Sequence, residues 1–268
     1  MLIALSTRFV PTGFVSSVQR HINLIGDGMH SRRSMIFFVA FWVSVIVTSH
    51  GFAQNQGEPD TLGMKVLYMS IMTKGPNWND LSMRGAQAPL RKHFAFWDSL
   101  QQKGKVILRG RVDDTSAIKD IIVIELDSLR DAIELTDRDP LVESGWLHPL
   151  VLGWYAARKV ITSSPGGSPT ETYFIALLRR GPKWTPEQNP ETAKLQEAHM
   201  ANIRELARQR KLVLAGPFED GKELRGVFIF RVPSIADATT LTSGDPAVNA
   251  GRLAFDIHPW QVPKGNLP

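Results

Sequence analysis

The second half of this chain repeats the first at a constant offset, and that limits the folds open to it more than any other feature. Gly75-Pro76-Asn77-Trp78 returns as Gly181-Pro182-Lys183-Trp184, so that Gly75 and Gly181 stand 106 positions apart. His93 returns as His199, Gly110 as Gly216, Asp139-Pro140 as Asp245-Pro246, Gly145 as Gly251 and Trp154 as Trp260, all at that spacing. No insertion or deletion separates the copies. Laying residues 64–155 on 170–261 gives about twenty identities, over a length well beyond the roughly 20–50 residues of a solenoid module. The chain therefore holds two copies of one small domain, each of about 95 residues, a normal domain size. What both copies keep is what the fold or a site requires.

Charge says little about partners once its distribution is considered. The net charge is +5, but Arg8, Arg20, Arg32 and Arg33 face Asp27 alone in residues 1–53. The body beyond Ala53 is nearly neutral, which gives no support to a nucleic-acid partner. The leader itself is legible. Arg32-Arg33 precede an apolar run from Met35 to Val47, and Gly51 and Ala53 supply small residues before Gln54. This describes a secretory signal peptide over residues 1–53, cleaved near Ala53. The thirteen-residue run is too short for the ~20 residues of a spanning helix, so no membrane attachment is expected after cleavage. Residues 1–28 carry no signal of their own, and Met29 is a plausible start. The expected location is periplasmic or secreted. The absence of cysteine excludes disulfides, thiolate metal sites and cysteine nucleophiles, so an exported body must rely on core burial.

Each copy reads as β-α-β-β-α-β, the first over 64–158 and the second over 170–262, joined by a Pro/Gly/Ser-rich linker at 159–169. In the first, Lys65–Thr73 alternates like a strand, and Leu90, His93, Phe94, Trp97 and Leu100 form one helical stripe. Ser128 and Ser234 each have an aspartate three residues on, the pattern of a helix N-cap. This is a ferredoxin-like α+β unit with both helices on one face of its sheet. The other face is also apolar and must be covered. The economical solution packs the two repeats sheet to sheet as an intramolecular pseudo-dimeric α+β barrel.

Three elements recur that folding does not obviously demand: a histidine on the long helix (His93, His199), an aspartate before proline (Asp139, Asp245), and the Gly-Pro-x-Trp element. A carboxylate that fixes an imidazole leaves its other nitrogen to handle a substrate proton, the arrangement of a general acid or base. The bland alternatives are a core histidine, turn chemistry at Asp-Pro and a packing indole. Histidine and aspartate keep one separation in both copies while their helix neighbours vary, as in Phe94/Met200 and Trp97/Ile203.

These residues carry a resemblance. His199, Leu214-Ala215-Gly216-Pro217, Ser234-Ile235-Ala236-Asp237-Ala238, Asp245-Pro246 and Pro259-Trp260 are similar to the pattern of the YCII-related family. The first copy departs, with Arg109-Gly110-Arg111 in place of Ala-Gly-Pro and Gly153 where Pro259 aligns. The resemblance implies a dimeric α+β barrel, similar in architecture to muconolactone isomerases and a dehydrochlorinase of a chlorinated hydroxyquinol. It also implies a His–Asp active site, His199 with Asp245 foremost and His93 with Asp139 second.

Other chemistries find no footing. No glycine-rich phosphate loop follows a strand, and His93, His148, His199 and His258 show no metal-binding spacing, so no metal or cofactor is expected. His148 and His258 read as loop or strand-end residues. The expected function is a small-molecule lyase or isomerase working on a ring or lactone-like compound held against Trp184 and Trp260, with Trp78 and Trp154 as their counterparts. The alternative is a non-catalytic module of the same fold that binds a small ligand or a partner. Assembly beyond the internal pseudo-dimer is left open.

Overall fold

A computed structural model describes residues 62–80, 87–163, 169–219 and 222–268 of the chain. The leader at 1–53 and linker residues 164–168 lie outside the described residues.

The first repeat runs β1 (Met64–Lys74), a 3-10 turn (Trp78–Asp80), α1 (Gln87–Gln102), β2 (Val106–Val112), β3 (Ile118–Ile124), α2 (Leu129–Thr136), the short α3 (Pro140–Glu143) and β4 (Leu147–Ala157). The second runs β5 (Thr170–Arg180), α4 (Pro190–Arg208), β6 (Leu212–Pro217), β7 (Leu224–Phe230), α5 (Ile235–Ser243), the short α6 (Pro246–Asn249) and β8 (Leu253–Pro263). The caps follow the sequence. Ser128 and Ser234 accept from the backbone N–H of Asp131 and Asp237, satisfying one of the orphan donors at each helix start. Asp139 and Asp245 cap α3 and α6, with proline at the first helical position. Gly104 ends α1 at φ 71°, whereas its counterpart Arg210 adopts φ 57°, an uncommon conformation for a residue with a side chain.

The strands form one antiparallel sheet in the order β4-β1-β3-β2-β8-β5-β7-β6. The repeats therefore join edge to edge, and their inner faces meet across a barrel. Two seams at matching positions close it. At one, Arg111 pairs with Gln261 and Val112 with Trp260. At the other, Trp154 bridges Phe218, and the Glu219 N–H donates to Gly153 O at 2.9 Å.

The seams explain two glycines that both repeats keep. A Cβ on Gly216 would collide with Tyr155 O and lie 2.8 Å from Trp154 Nε1; one on Gly110 would collide with Gln261 O and lie 2.6 Å from Trp260 Nε1. Glycine lets the opposing backbone and indole close in.

Alternation divides the core into an inner and two outer layers. Leu67, Met69, Ile71, Ile175, Leu177, Val227 and Ile229 are buried on the inner side. On the outer side, Tyr68, Met72, Ile122 and Ile124 pack under Trp97, Leu100 and Leu141. Phe174, Ala176, Phe228 and Phe230 pack under Leu206 and Ala238 in the second repeat. Each fully buried Leu or Ile stabilises by about 1.5–3 kcal/mol, which lets a cysteine-free chain hold together. One stripe member departs from expectation: Phe94 is 52% exposed, because it lies beside the sheet-facing row of His93, Trp97 and Leu100. Among the described residues, no helix is long and apolar enough to cross a membrane.

Candidate active site

Each histidine sits midway along its long helix, facing the sheet, and each aspartate at the cap of the following short helix. The two elements meet, and the pair forms twice. His93 Nδ1 lies 2.9 and 2.7 Å from the Asp139 oxygens, and His199 Nδ1 lies 2.8 and 2.9 Å from those of Asp245. Both imidazoles are almost sealed, at 3% and 6% exposure, and both carboxylates wholly so.

The carboxylate in each pair is saturated with donors. Asp139 also accepts from the Leu141 N–H at 2.9 Å and from Trp97 Nε1 at 2.8 Å. Asp245 accepts from the Ala247 N–H at 2.9 Å and from Asn202 Nδ2 at 2.9 Å. Towards all three donors the buried carboxyl group acts as the acceptor. The histidine must then donate through Nδ1–H, which leaves Nε2 with its lone pair when the ring is neutral. Neither Nε2 makes a hydrogen bond among the described residues. This is the disposition of a general base oriented by a carboxylate.

The surroundings of the two rings differ. His199 stacks on Phe228, with ring centroids 5.8 Å apart. His93 meets Phe94 edge-on at 5.2 Å, and Asp120 on β3 lies in its electrostatic neighbourhood. Burial pushes the Asp120 carboxyl up, Asp139 adds to that, and His93, Arg109 and Arg111 oppose it.

The tryptophans separate into two kinds. Trp154 and Trp260, expected against a ligand, are wholly buried at the barrel seams. Trp154 Nε1 donates to Gly216 O at 3.2 Å, while Trp260 Nε1 is buried without a partner. Trp78 and Trp184 are half-buried, each beside two cations at matching positions. Lys74 and Lys119 Nζ lie 5.7 and 5.9 Å from the Trp78 ring; the guanidinium carbons of Arg180 and Arg225 lie 4.0 and 5.5 Å from that of Trp184.

His258, expected as a strand-end residue, makes a third His–Asp contact that sequence reading missed. Its Nδ1 lies 2.7 Å from Asp114 in the β2–β3 turn of the other repeat. Partial burial pushes the Asp114 carboxyl up, but hydrogen bonds from Ser116 and His258 outweigh it and hold it below its ordinary value. His148 lies at the start of β4, and partial burial lowers its basicity. Among the described residues no cluster of His, Asp and Glu could hold a metal ion.

Two ferredoxin-like repeats closed into one barrel, with an oriented imidazole in each, define a dimeric α+β barrel protein contracted into a single polypeptide. The chain belongs to the YCII-related family, whose domain matches residues 66–155 and again 175–261.

Solved structures agree on the architecture. A chlorite dismutase variant from Candidatus Nitrospira defluvii superposes with a TM-score of 0.51 at 10% identity, covering 75% of this chain and 92% of that one. A cyanide complex of another variant of that enzyme gives 0.50 at 9% identity, covering 74% and 90%. A third structure, described as a chlorite dismutase by assignment, gives 0.51 at 12% identity, covering 74% and 95%. At these identities the likeness is one of fold alone. No curated protein matches the sequence.

Proposed function

We propose that this YCII-related protein is an exported lyase or isomerase of a small ring or lactone-like compound, in which a histidine oriented by aspartate moves the substrate proton. The observation that carries this reading is the twofold occurrence of one geometry: a buried carboxylate on Nδ1, and Nε2 left as the basic position. His199 with Asp245 and His93 with Asp139 are the two pairs concerned. Residues 1–53 support export through their composition.

A second reading has its own observation. Because Asp139 and Asp245 also cap α3 and α6, each pair does part of the work of folding. A non-catalytic ligand-binding module would keep the pair for that reason.

The test compares His93→Gln, His199→Gln and the double variant on a panel of ring-opened lactones and halogenated phenols. A general base contributes about 10²–10⁴-fold, so the variant at a working pair should lose about a hundredfold in kcat/KM or more. A double variant as fast as the parent would eliminate the enzyme reading. Because both rings are buried, a falling Tm is expected on either reading, and turnover decides. Mass measurement of the N-terminus of secreted protein checks export; retention of residue 40 would refute it.

A further inference from the structure

The Gly-Pro-x-Trp element recurs in both repeats, and the His–Asp pairs make no use of it. Its loop is pinned in the same way each time. The Gly75 N–H donates to Trp146 O at 2.8 Å and that of Asn77 to Gly145 O at 2.9 Å; Gly181 and Lys183 donate to Arg252 O and Gly251 O at the same distances. A Cβ at Gly75 or Gly181 would collide with Gly145 O or Gly251 O, so glycine is what lets the loops close. The backbone N–H groups of Trp78 and Trp184 then turn back to Gly75 O and Gly181 O, at 3.2 and 3.0 Å. Trp78 packs against the outer core of its repeat, but Trp184 has no place in the corresponding core, so packing is not what the two share.

What they share is a pair of cations. Lys74 ends β1 and Lys119 is the second residue of β3, with Nζ atoms 5.7 and 5.9 Å from the Trp78 ring centroid. Arg180 and Arg225 take those places on β5 and β7, with guanidinium carbons 4.0 and 5.5 Å from the Trp184 ring centroid. All six side chains are half-buried. Positive charge is not generally kept between the repeats: Lys65, Arg91, Arg109 and Arg111 stand opposite Glu171, Glu197, Ala215 and Pro217. At the two positions beside each indole the side chain changes and the sign does not. One cation is enough to satisfy an indole face, and a second of the same sign adds repulsion. Lys119 registers this: partial burial, and then the charge of Lys74, lower its basicity against the pull of Asp114 and Asp120. Neither lysine reaches ion-pair distance of a carboxylate among the described residues. Lys119 Nζ donates to the Asp114 backbone oxygen at 3.4 Å, while the Asp114 carboxylate is taken by His258 and Ser116.

We propose that the Lys74–Trp78–Lys119 clasp, and its counterpart Arg180–Trp184–Arg225, are binding sites for a small oxyanion, a carboxylate or a phosphate group. An oxyanion shared by both cations cancels their repulsion. Ammonium groups hold it as point charges and guanidinium groups through paired N–H donors, so both versions serve one ligand chemistry. Two cations on a nearly neutral body suit a small anion rather than a polyanion. The assignment is independent of the acid–base reading, since neither histidine belongs to a clasp and no proton moves.

The test follows the indole N–H signals by NMR while chloride is exchanged for benzoate or inorganic phosphate at constant ionic strength. The Trp78 and Trp184 signals should shift saturably, and those of Trp154 and Trp260 at the seams should stay in place and report an intact barrel. Lys74→Gln and Lys119→Gln should each weaken binding at Trp78 about tenfold or more, with Trp184 unaffected. The double variant Lys74→Arg/Lys119→Arg, which copies the second repeat, should bind as the parent does. Saturation by benzoate alone makes the clasps carboxylate sites, and by phosphate alone phosphate sites. A parent protein with no saturable shift in either anion, or glutamine variants that bind like the parent, overturns the proposal and leaves the His–Asp reading standing.

Discussion

The two repeats are one structure written twice, and their differences show which parts of it are interchangeable. Both keep the imidazole, the carboxylate and the backbone N–H that caps a short helix. The third donor to the carboxylate is not kept in kind: it is an indole from Trp97 in one repeat and an amide from Asn202, one position earlier in the repeat, in the other. The requirement is a donor at that place, not a residue type. A surface ion pair makes the same point. Lys65–Glu125, at 2.8 Å, returns as Glu171–Arg231, at 3.3 Å, with the signs exchanged. Around His93 the sheet carries Arg109, Arg111 and Asp120; around His199 it carries Ala215, Pro217 and Gly226. One site is charged and the other stripped. The shared scaffold fixes geometry, and the sheet beneath it sets the charge around each histidine.

The comparison breaks hardest at the carboxylates. Asp245→Ala removes the partner of a sealed imidazole, a helix cap and the acceptor for Asn202 together. Losing one member of such a buried pair costs about 3–5 kcal/mol, and Tm should fall by on the order of 10 °C. Asp139→Ala should behave alike. Calorimetry showing one variant near the parent Tm would mean that the repeats do not share this latch.

A finer distinction concerns the seams. Trp154→Phe and Trp260→Phe remove similar volumes, but only the first deletes a hydrogen bond, to Gly216 O. Trp154→Phe should be the more destabilising by about 1 kcal/mol in urea unfolding. Equal losses would make the seams equivalent.

The smallest effect belongs to the exchanged ion pair. Lys65→Glu should cost under about 1 kcal/mol at low salt and less at high salt. Adding Glu125→Arg, which copies the second repeat, should recover only part of this, since Arg158 also binds Glu125 at 2.6 Å. Full additivity of the two changes would show that the pair does not interact.

Much of this was open to sequence reading, because a fixed offset turns one chain into a two-member alignment. It exposed the module, the His–Asp pairs and the seam glycines as positions that matter. It could not assign their roles, because recurrence marks constraint without naming its source. Trp154 and Trp260 are buried at the seams, and in sequence a residue placed there looks the same as one kept for a ligand. Asp139 and Asp245 were legible as partners of histidine, but not as the caps of the short helices that follow them. His258–Asp114 and Asp120 escaped for the opposite reason: they belong to one copy only or span both, so the offset was silent about them. The exchanged ion pair was within reach, had unlike residues been compared for complementary charge.

The paired seams carry a consequence for synthesis. While only the first repeat has left the ribosome, β2 and β4 are its outer strands, and both offer bare N–H and C=O rows until β8 and β6 arrive. An emerging half-barrel is thus exposed to pairing with a neighbour's half, and prompt completion of the nascent chain is its protection.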